Sequence, residues 1–308
     1  MSIPHATKPS RPFAALKYRA FCVAPQGAFS NGSMLHSENP IERVFMPHFK
    51  TPVAKFMSSP VRSIHPDAPI DEAYSILREY KFSGLAVVDG HHKLVGVLSR
   101  TDLLHLGRVT ALGKGRRSPL IDLPKRSVRE VMKTEVVRIA PEASLREAAE
   151  LMVEHHIHRV FVEENAKLKG VISTKDLMNA IAESRMHRPI SEVMSTPIQT
   201  ISTTSTIEMA ADKLDESHIS GVVVLDEDEA PVGVFTQAEA LQAKSFPPNT
   251  LVEDLMNYAM ICMHVKTPMH RAAAQASATS ARRIIAVEDR HIWGMLTGID
   301  FARAIVTA

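Results

Sequence analysis

The chain has 308 residues, with 36 Lys and Arg against 34 Asp and Glu, a net charge of +2 and 45% hydrophobic residues. That composition is globular and sized for roughly two domains. So small a charge does not by itself call for nucleic acid or an acidic membrane, and no apolar run approaches the roughly 20 residues needed to cross a bilayer. The two cysteines, Cys22 and Cys262, make neither a CxxC pair nor a disulfide framework, which predicts a reducing, cytoplasmic setting.

Residues 1–51 read as an N-terminal arm, partly disordered. The first 37 residues hold no Asp or Glu and carry Lys8, Arg11, Lys17 and Arg19. Lys17 and Arg19 interrupt the apolar stretch from Phe13 to Ala24, which makes a poor secretory signal. A basic, loosely ordered arm and an organellar transit peptide share this composition, and both readings stand.

After the arm the chain repeats. Four segments align on Met57, Met132, Met194 and Met256, spaced by 75, 62 and 62 residues. Four positions after each methionine a short extended run begins: Val61 to Ile64, Val136 to Ile139, Ile198 to Ile201, Met260 to Met263. Thirteen, sixteen and twenty residues after the methionine stand Ile70, Ala73 and Leu77; Leu145, Ala148 and Met152; Ile207, Ala210 and Leu214; Met269, Ala272 and Ala276. Separations of three, four and seven put each set on one face of a helix. Ser144 with Glu147 reads as a capping box, and Pro69 fits the opening turn of the first such helix. A β-rich run, a polar turn, a second strand and a closing helix complete each unit. The second strands are Leu94 to Ser99, Leu168 to Ser173, Val232 to Thr236 and Trp293 to Thr297.

Every unit therefore reads strand, helix, strand, strand, helix. About 55 residues bury too little surface to be comfortable alone, so the units are expected to pair. The segment from Leu106 to Ser127 is extra in the first unit. It carries Arg108, Lys114, Arg116, Arg117, Lys125 and Arg126 against Asp122. Gly107, Gly113, Gly115, Pro119 and Pro124 predict a mobile basic loop, either a solvated linker or a grip for polyphosphate, a nucleic-acid backbone or an acidic partner.

Each second strand ends in one phrase: Gly96-Val97-Leu98-Ser99-Arg100-Thr101-Asp102, Gly170-Val171-Ile172-Ser173-Thr174-Lys175-Asp176, Gly233-Val234-Phe235-Thr236-Gln237-Ala238-Glu239 and Gly294-Met295-Leu296-Thr297-Gly298-Ile299-Asp300. The phrase resembles the nucleotide-binding motif of CBS domains, and the resemblance covers about residues 52–308. It implies an α+β fold of four CBS repeats paired into two Bateman modules: module 1 over 52–183 (repeats 52–105 and 127–181, basic linker 106–126) and module 2 over 184–308 (repeats 188–243 and 250–308). The hydroxyl sits where a strand gives way to a helix N-terminus, a place for a phosphate or sugar oxygen. The acid three residues on can accept two hydrogen bonds from ribose hydroxyls. The same two residues also make a capping box.

By position the resemblance makes Val61, Ile64, Val136, Ile139, Ile198 and Ile201 walls for a base, and all six serve equally well as core. Ser99, Asp102, Ser173, Asp176, Thr236, Glu239, Thr297 and Asp300 are the motif's ligand residues. Basic residues distinguish the repeats. His158-Arg159 and Arg282-Arg283 precede the middle strand of the second and fourth, where the first and third have Ser83-Gly84 and Ser220-Gly221. A His-Arg pair here resembles the gamma subunit of AMP-activated protein kinase, where it contacts phosphates. A guanidinium suits phosphate bidentately; a solvated Arg at a helix end is the plain alternative. Arg100 and Lys175 add charge in module 1, which ranks as the better-equipped module.

His155, His156 and His158 form an H-H-x-H cluster, but the first two point about 100° apart on a helix and no Cys or paired acid completes a metal set. No Walker A phrase, HExxH or nucleophile elbow is present, so neither a catalytic group nor a catalytic cofactor is predicted. The expectation is a regulatory protein that binds AMP, ADP or ATP and acts on a protein partner or through its own assembly, as an intramolecular pseudo-dimer or a homodimer. The competing expectation is a nucleic-acid-binding or scaffold protein that uses the basic linker and arm.

Overall fold

The computed structural model describes residues 49–113, 119–289 and 291–308. The described residues form four three-stranded sheets. The first holds β1 (Ser63–Ile64), β2 (Gly84–Val88) and β3 (Leu94–Ser99); the second β4 (Arg138–Ile139), β5 (Arg159–Glu164) and β6 (Lys167–Ser173). The third holds β7 (Thr200–Ser202), β8 (Gly221–Leu225) and β9 (Pro231–Thr236); the fourth β10 (Ile261–His264), β11 (Arg283–Glu288) and β12 (His291–Thr297). In every sheet the first strand runs parallel to the second and the second antiparallel to the third. A parallel pair needs a crossover. Here it is α1 (Ile70–Glu79), α3 (Leu145–Glu154), α5 (Ile207–Glu216) and α7 (Met269–Thr279). The closing helices are α2 (Arg100–Gly113), α4 (Thr174–Glu183), α6 (Gln237–Gln242) and α8 (Gly298–Val306).

The crossover helices form where the spacing predicts them. All twelve residues read as their inner faces, from Ile70 to Ala276, are at most 1% exposed. The Ser144–Glu147 capping box is present, with Ser144 N and Oγ donating to Glu147 Oε2 at 2.8 and 2.7 Å. Pro69 stands one place earlier than expected, as the N-cap of α1. All four crossover helices stop on a left-handed residue that is not glycine: Lys81, His156, His218 and Ser280, with φ between 51° and 55°. Such a residue ends the helix by turning the chain into the next strand. It also accounts for the histidine cluster, because His155 caps α3, His156 makes the turn and His158 lies beyond it.

The helices of the first and third units share one core, with Leu77, Leu103, Leu104, Leu214, Phe235 and Leu241 fully buried. Those of the second and fourth share another, with Met152, Leu177, Ile181, Met269, Phe301 and Ile305. Between sheets, Ala86, Val88, Leu94 and Phe161 join units one and two, and Val223, Ile285 and Met295 join units three and four. Sheets thus pair between units one and two and between units three and four, while helices pair between units one and three and between units two and four.

The opening segments explain the aligned methionines. Each crosses to the third strand of its partner unit in a short antiparallel bridge: Ser58 with Val171, Lys133 with Val97, Ser195 with Met295, Asn257 with Val234. Each methionine thereby fills the space left by a motif glycine. A Cβ on Gly96, Gly233 or Gly294 would stand 2.6 to 2.8 Å from the sulfur of Met132, Met256 or Met194, and one on Gly170 would overlap that of Met57.

The mobile basic loop expected over 106–127 is corrected. Residues up to Gly113 continue α2, and Leu120 and Ile121 are buried in the core of units one and three. Gly107, a loop signal in the sequence, lies inside the helix, where a Cβ would overlap Ile121. Arg108 is 3% exposed; it donates to Leu120 O at 3.1 Å and pairs with Asp212 on α5. Arg126 pairs with Glu130. Neither is a free cation for a nucleic-acid backbone. Lys114, Arg116, Arg117 and the arm up to residue 48 lie outside the described residues.

Candidate functional site

The four units meet where their middle strands begin and their closing helices start. Arg159 at the head of β5 reaches into unit one, with Nη1 donating to Gly84 O at 2.5 Å and Nη2 bonded to Ser83 Oγ. Arg283 at the head of β11 makes the equivalent bond into unit three, Nη2 to Ser220 Oγ at 2.6 Å. The alternation of basic and small pairs is thus a fit. A Cβ on Gly84 would stand 3.0 Å from Arg159 Nη1, and one on Gly221 2.7 Å from Arg283 Cζ. Across modules, Thr101 Oγ1 and Gln237 Oε1 bond at 3.3 Å, and Gly298 receives Thr174, whose Cβ would be 2.8 Å from any Cβ placed there. These contacts close a ring through all four units. Arg282 spans it, donating from Nη2 to Lys81 O at 2.8 Å.

Five cationic or titratable groups converge there: Arg100, His158, Arg159, Arg282 and Arg283. Burial and the neighbouring guanidinium of Arg282 hold Arg100, Arg159 and Arg283 down to about 10. Burial also lowers Arg282. At neutral pH all four guanidiniums stay charged, so the lowering measures crowding rather than proton loss. Burial, then Arg159, Arg283 and Arg282, push His158 down to about 4, so it stands neutral. His158 and Arg282 are nevertheless exposed and the other three are half-buried, so the cluster is crowded by protein and still open to water. Among the described residues no ion pair is made by any of these arginines; Glu239 and Asp300 are the acids close enough to be felt. The Nε–H of Arg283 is buried with no acceptor.

The four motif acids all cap their helices, so the plainer role foreseen for them is realised in each. Backbone N and side-chain hydroxyl of Ser99, Ser173 and Thr297 donate to Oδ2 of Asp102, Asp176 and Asp300 at 2.5 to 2.8 Å. Thr236 N donates to Glu239 Oε2 at 3.0 Å, and its hydroxyl bonds to the same oxygen. The second carboxylate oxygens differ. Asp102 Oδ1 faces Lys133 Nζ at 3.1 Å. Asp300, 0% exposed, has Oδ1 bonded by Ser195 Oγ and Arg303 Nη1, both at 2.7 Å. Among the described residues no neighbouring side chain bonds Asp176 Oδ1 or Glu239 Oε1; the bonds from Ser173 and Thr236 go to the other oxygen of each. Burial raises the Asp176 carboxyl above its ordinary value.

Of the expected base walls, Val61 and Val136 lie half-buried at the sheet interface of units one and two, and Ile198 takes the same place in units three and four. Ile64, Ile139 and Ile201 point the other way, into the helical cores, as alternation along a strand requires. Lys175 is exposed beside Asp176. Arg282, Lys133, Ser195 and Arg303 were not among the expected site residues. Only Arg282 carried a signal, its place beside Arg283. Among the described residues no group of three or more His, Cys, Asp or Glu is arranged to hold a metal, and no helix is long and apolar enough to cross a membrane.

Four such units, paired through swapped opening segments and each closed by a capped Ser/Thr-x-x-acid phrase, define a CBS-domain protein. The CBS domain profile matches residues 53–108, 128–183 and 190–245, more than half of the chain, and the chain belongs to that family. The fourth unit has the same strand order and pairing. Among curated relatives, the CBS domain-containing protein YhcV of Bacillus subtilis is 31% identical over 121 residues, 39% of this chain and 79% of that protein. L-aspartate semialdehyde sulfurtransferase of Methanocaldococcus jannaschii is 29% identical over 133 residues, 43% of this chain; the match spans 26% of that enzyme. Among solved structures, a Methanocaldococcus jannaschii protein described as a proposed archaeal homologue of g-AMPK superposes with a TM-score of 0.72 at 18% identity, over 82% of this chain and 99% of its own. That likeness carries the fold.

Proposed function

We propose that the chain is a regulatory sensor of adenine nucleotides that acts on a protein partner or through its own assembly, rather than an enzyme. CBS-domain proteins as a class bind adenosine-containing ligands and regulate partners. The observation that carries the reading here is the interior where Arg100, Arg159, Arg282 and Arg283 gather without an ion-paired acid. Like charges crowded together and partly withdrawn from water repel one another until an anion joins them, and phosphate is the anion whose geometry matches guanidinium forks. On this reading residues 52–183 and 184–308 each take nucleotide with the base at the sheet interface, beside Val61 and Val136 in module 1, and the phosphates toward the arginines. Binding relieves repulsion shared by both modules and so shifts their packing, which is the signal. The setting is cytoplasmic.

The test is a thermal-shift and calorimetric titration with AMP, ADP and ATP, with adenosine and tripolyphosphate as controls. A nucleotide at a hundredfold excess over its Kd adds about 2.7 kcal/mol, or roughly 5–10 °C for a fold of this size. Arg159→Lys keeps the charge and loses the fork, and weakens binding about 10-fold or more, in line with the ~1.5–3 kcal/mol of a charged hydrogen bond. A flat response to all three nucleotides refutes the proposal.

A further inference from the structure

Where α1 ends, unit one carries a set of planar side chains that no other unit repeats. Tyr80 and Phe82 stack with ring centroids 5.7 Å apart and planes 24° from parallel. The guanidinium carbon of Arg62 lies 3.8 Å from the Tyr80 centroid. Three planar groups therefore lie against one another, an arrangement in which rings and guanidiniums attract. The corresponding places hold Val137, His155 and Ile157 in unit two, Gln199, Ser217 and Ile219 in unit three, and Ile261, Thr279 and Ala281 in unit four. Ile157 and Ile219 pack against the helical cores. Tyr80 and Phe82 are instead 38% and 37% exposed, so the stack is not a core element carried by the repeat.

The stack is set among cations. The last carbonyls of α1, at the negative end of the helix dipole, collect two arginines: Arg100 Nη2 donates to Leu77 O at 3.0 Å and Arg282 Nη2 to Lys81 O at 2.8 Å. Lys81 stands between the two rings in the sequence and is exposed, as are Arg62, Arg78 and Arg282. Among the described residues none of these four cations makes an ion pair, and Glu79 is the one acid in the stretch 76–84. We infer that this face is a docking surface for a single-stranded nucleic acid, with an unpaired base stacked on Phe82 and flanking phosphates on Arg62, Arg78, Lys81 and Arg282. Stacked rings bordered by unpaired cations are what a single strand requires, because every base has a π-face and every linkage a charge. A duplex hides its base faces, and an acidic peptide uses the cations but leaves the rings uncovered. Base faces and phosphates are common to RNA and DNA, so both bind. The surface uses none of the Ser/Thr-x-x-acid phrases and stands or falls apart from the nucleotide reading.

The test is fluorescence anisotropy on the full chain with labelled oligouridine and oligothymidine of about 12 nucleotides, within the usual site size of a single-strand binder. Both bind, and if all four cations meet phosphates the affinity falls roughly 50-fold between about 50 and 200 mM salt. Phe82→Ala and Phe82→Leu each weaken binding by about 5- to 100-fold, the leucine because it keeps apolar bulk and loses the ring. Both positions of the stack are exposed, so these variants melt with the parent. Lys81→Asn, a residue that tolerates the left-handed backbone at φ 54°, lowers the slope of log affinity against log salt by about 0.7. A parent that binds neither oligonucleotide overturns the inference, and so does parental affinity in Phe82→Leu. A duplex or a polyglutamate peptide bound as tightly as the single strand shows charge attraction without stacking and overturns it as well. Affinity lost in Arg159→Lys but kept in Phe82→Ala places the strand among the central arginines and overturns the assignment to this face.

Discussion

Replacing Gly170 with alanine tests whether the motif glycines serve the partner unit's opening segment. An added Cβ overlaps the Met57 sulfur and stands 3.0 Å from Met57 Cγ and 3.2 Å from Ser58 O. The sulfur can swing away; the Ser58 carbonyl cannot, because Val171 N donates to it at 3.1 Å and Ser58 N donates back to Val171 O at 2.9 Å. Overpacking of this kind costs about 1–3 kcal/mol, or roughly 2–10 °C for a fold of this size. Met57 is half-buried, so Met57→Ala falls below the ~2–5 kcal/mol of a fully buried site. With the methionine gone the added methyl has somewhere to sit. The double variant is then more stable than the sum of the singles predicts, by a coupling energy of about 0.5–3 kcal/mol. Urea denaturation of the parent, both singles and the double gives all four numbers. A Gly170→Ala protein within about 0.5 kcal/mol of the parent, or strict additivity of the pair, refutes the crossing of the segments.

Other outcomes follow from single contacts. Arg108→Ala leaves the Leu120 carbonyl and Asp212 without their donor and lowers stability by about 2–3 kcal/mol. Arg108→Met, which keeps the stem and drops the buried charge, costs less, and denaturant midpoints rank the two. His158 has a folded pKa of about 4, below its unfolded value of 6.5, so the unfolded chain takes the proton first. The stability it contributes is present above about pH 6.5 and is lost as pH falls toward 4; His158→Gln flattens that part of a pH–stability curve. A phosphate in the interior pulls the His158 pKa back up, so AMP binding near pH 6 takes up protons. Calorimetry in buffers of different ionisation enthalpy detects the uptake, and it disappears in His158→Gln.

Much of the fold was legible because its units repeat. Ile70, Ala73 and Leu77 have only a weak claim as a helix face, but four aligned triplets leave little choice, and all twelve residues are buried. What periodicity could not supply was how the helices stop. Lys81, His156 and His218 take a left-handed turn that glycine usually marks, and no residue type announced it. The linker misled for the opposite reason. Gly107 reads as a breaker, yet it lies within α2, and its missing side chain makes room for Ile121. A glycine required by packing and a glycine required by a turn look alike until the neighbour is known.

The site was legible as an inventory and not as a set of relations, because its relations run between units. The methionines and the motif glycines are two periodic signals inside each unit, and nothing in the periodicity says that Met57 belongs to Gly170 rather than to Gly96. The alternation of Arg159 and Arg283 with Gly84 and Gly221 was visible as a pattern, but only the fold shows each arginine entering the room its partner's glycine leaves. The same exchange determines what the acids can do. A carboxylate that caps its own helix keeps one oxygen in reserve, and the use of that reserve is set by a residue in the partner unit, Ser195 for Asp300 and Lys133 for Asp102. The motif phrase alone groups Asp300 with Asp102 and Asp176 and sets Glu239 apart. The hydrogen bonds group them otherwise, because Asp300 spends both oxygens within the protein, one of them on Ser195 of the partner unit.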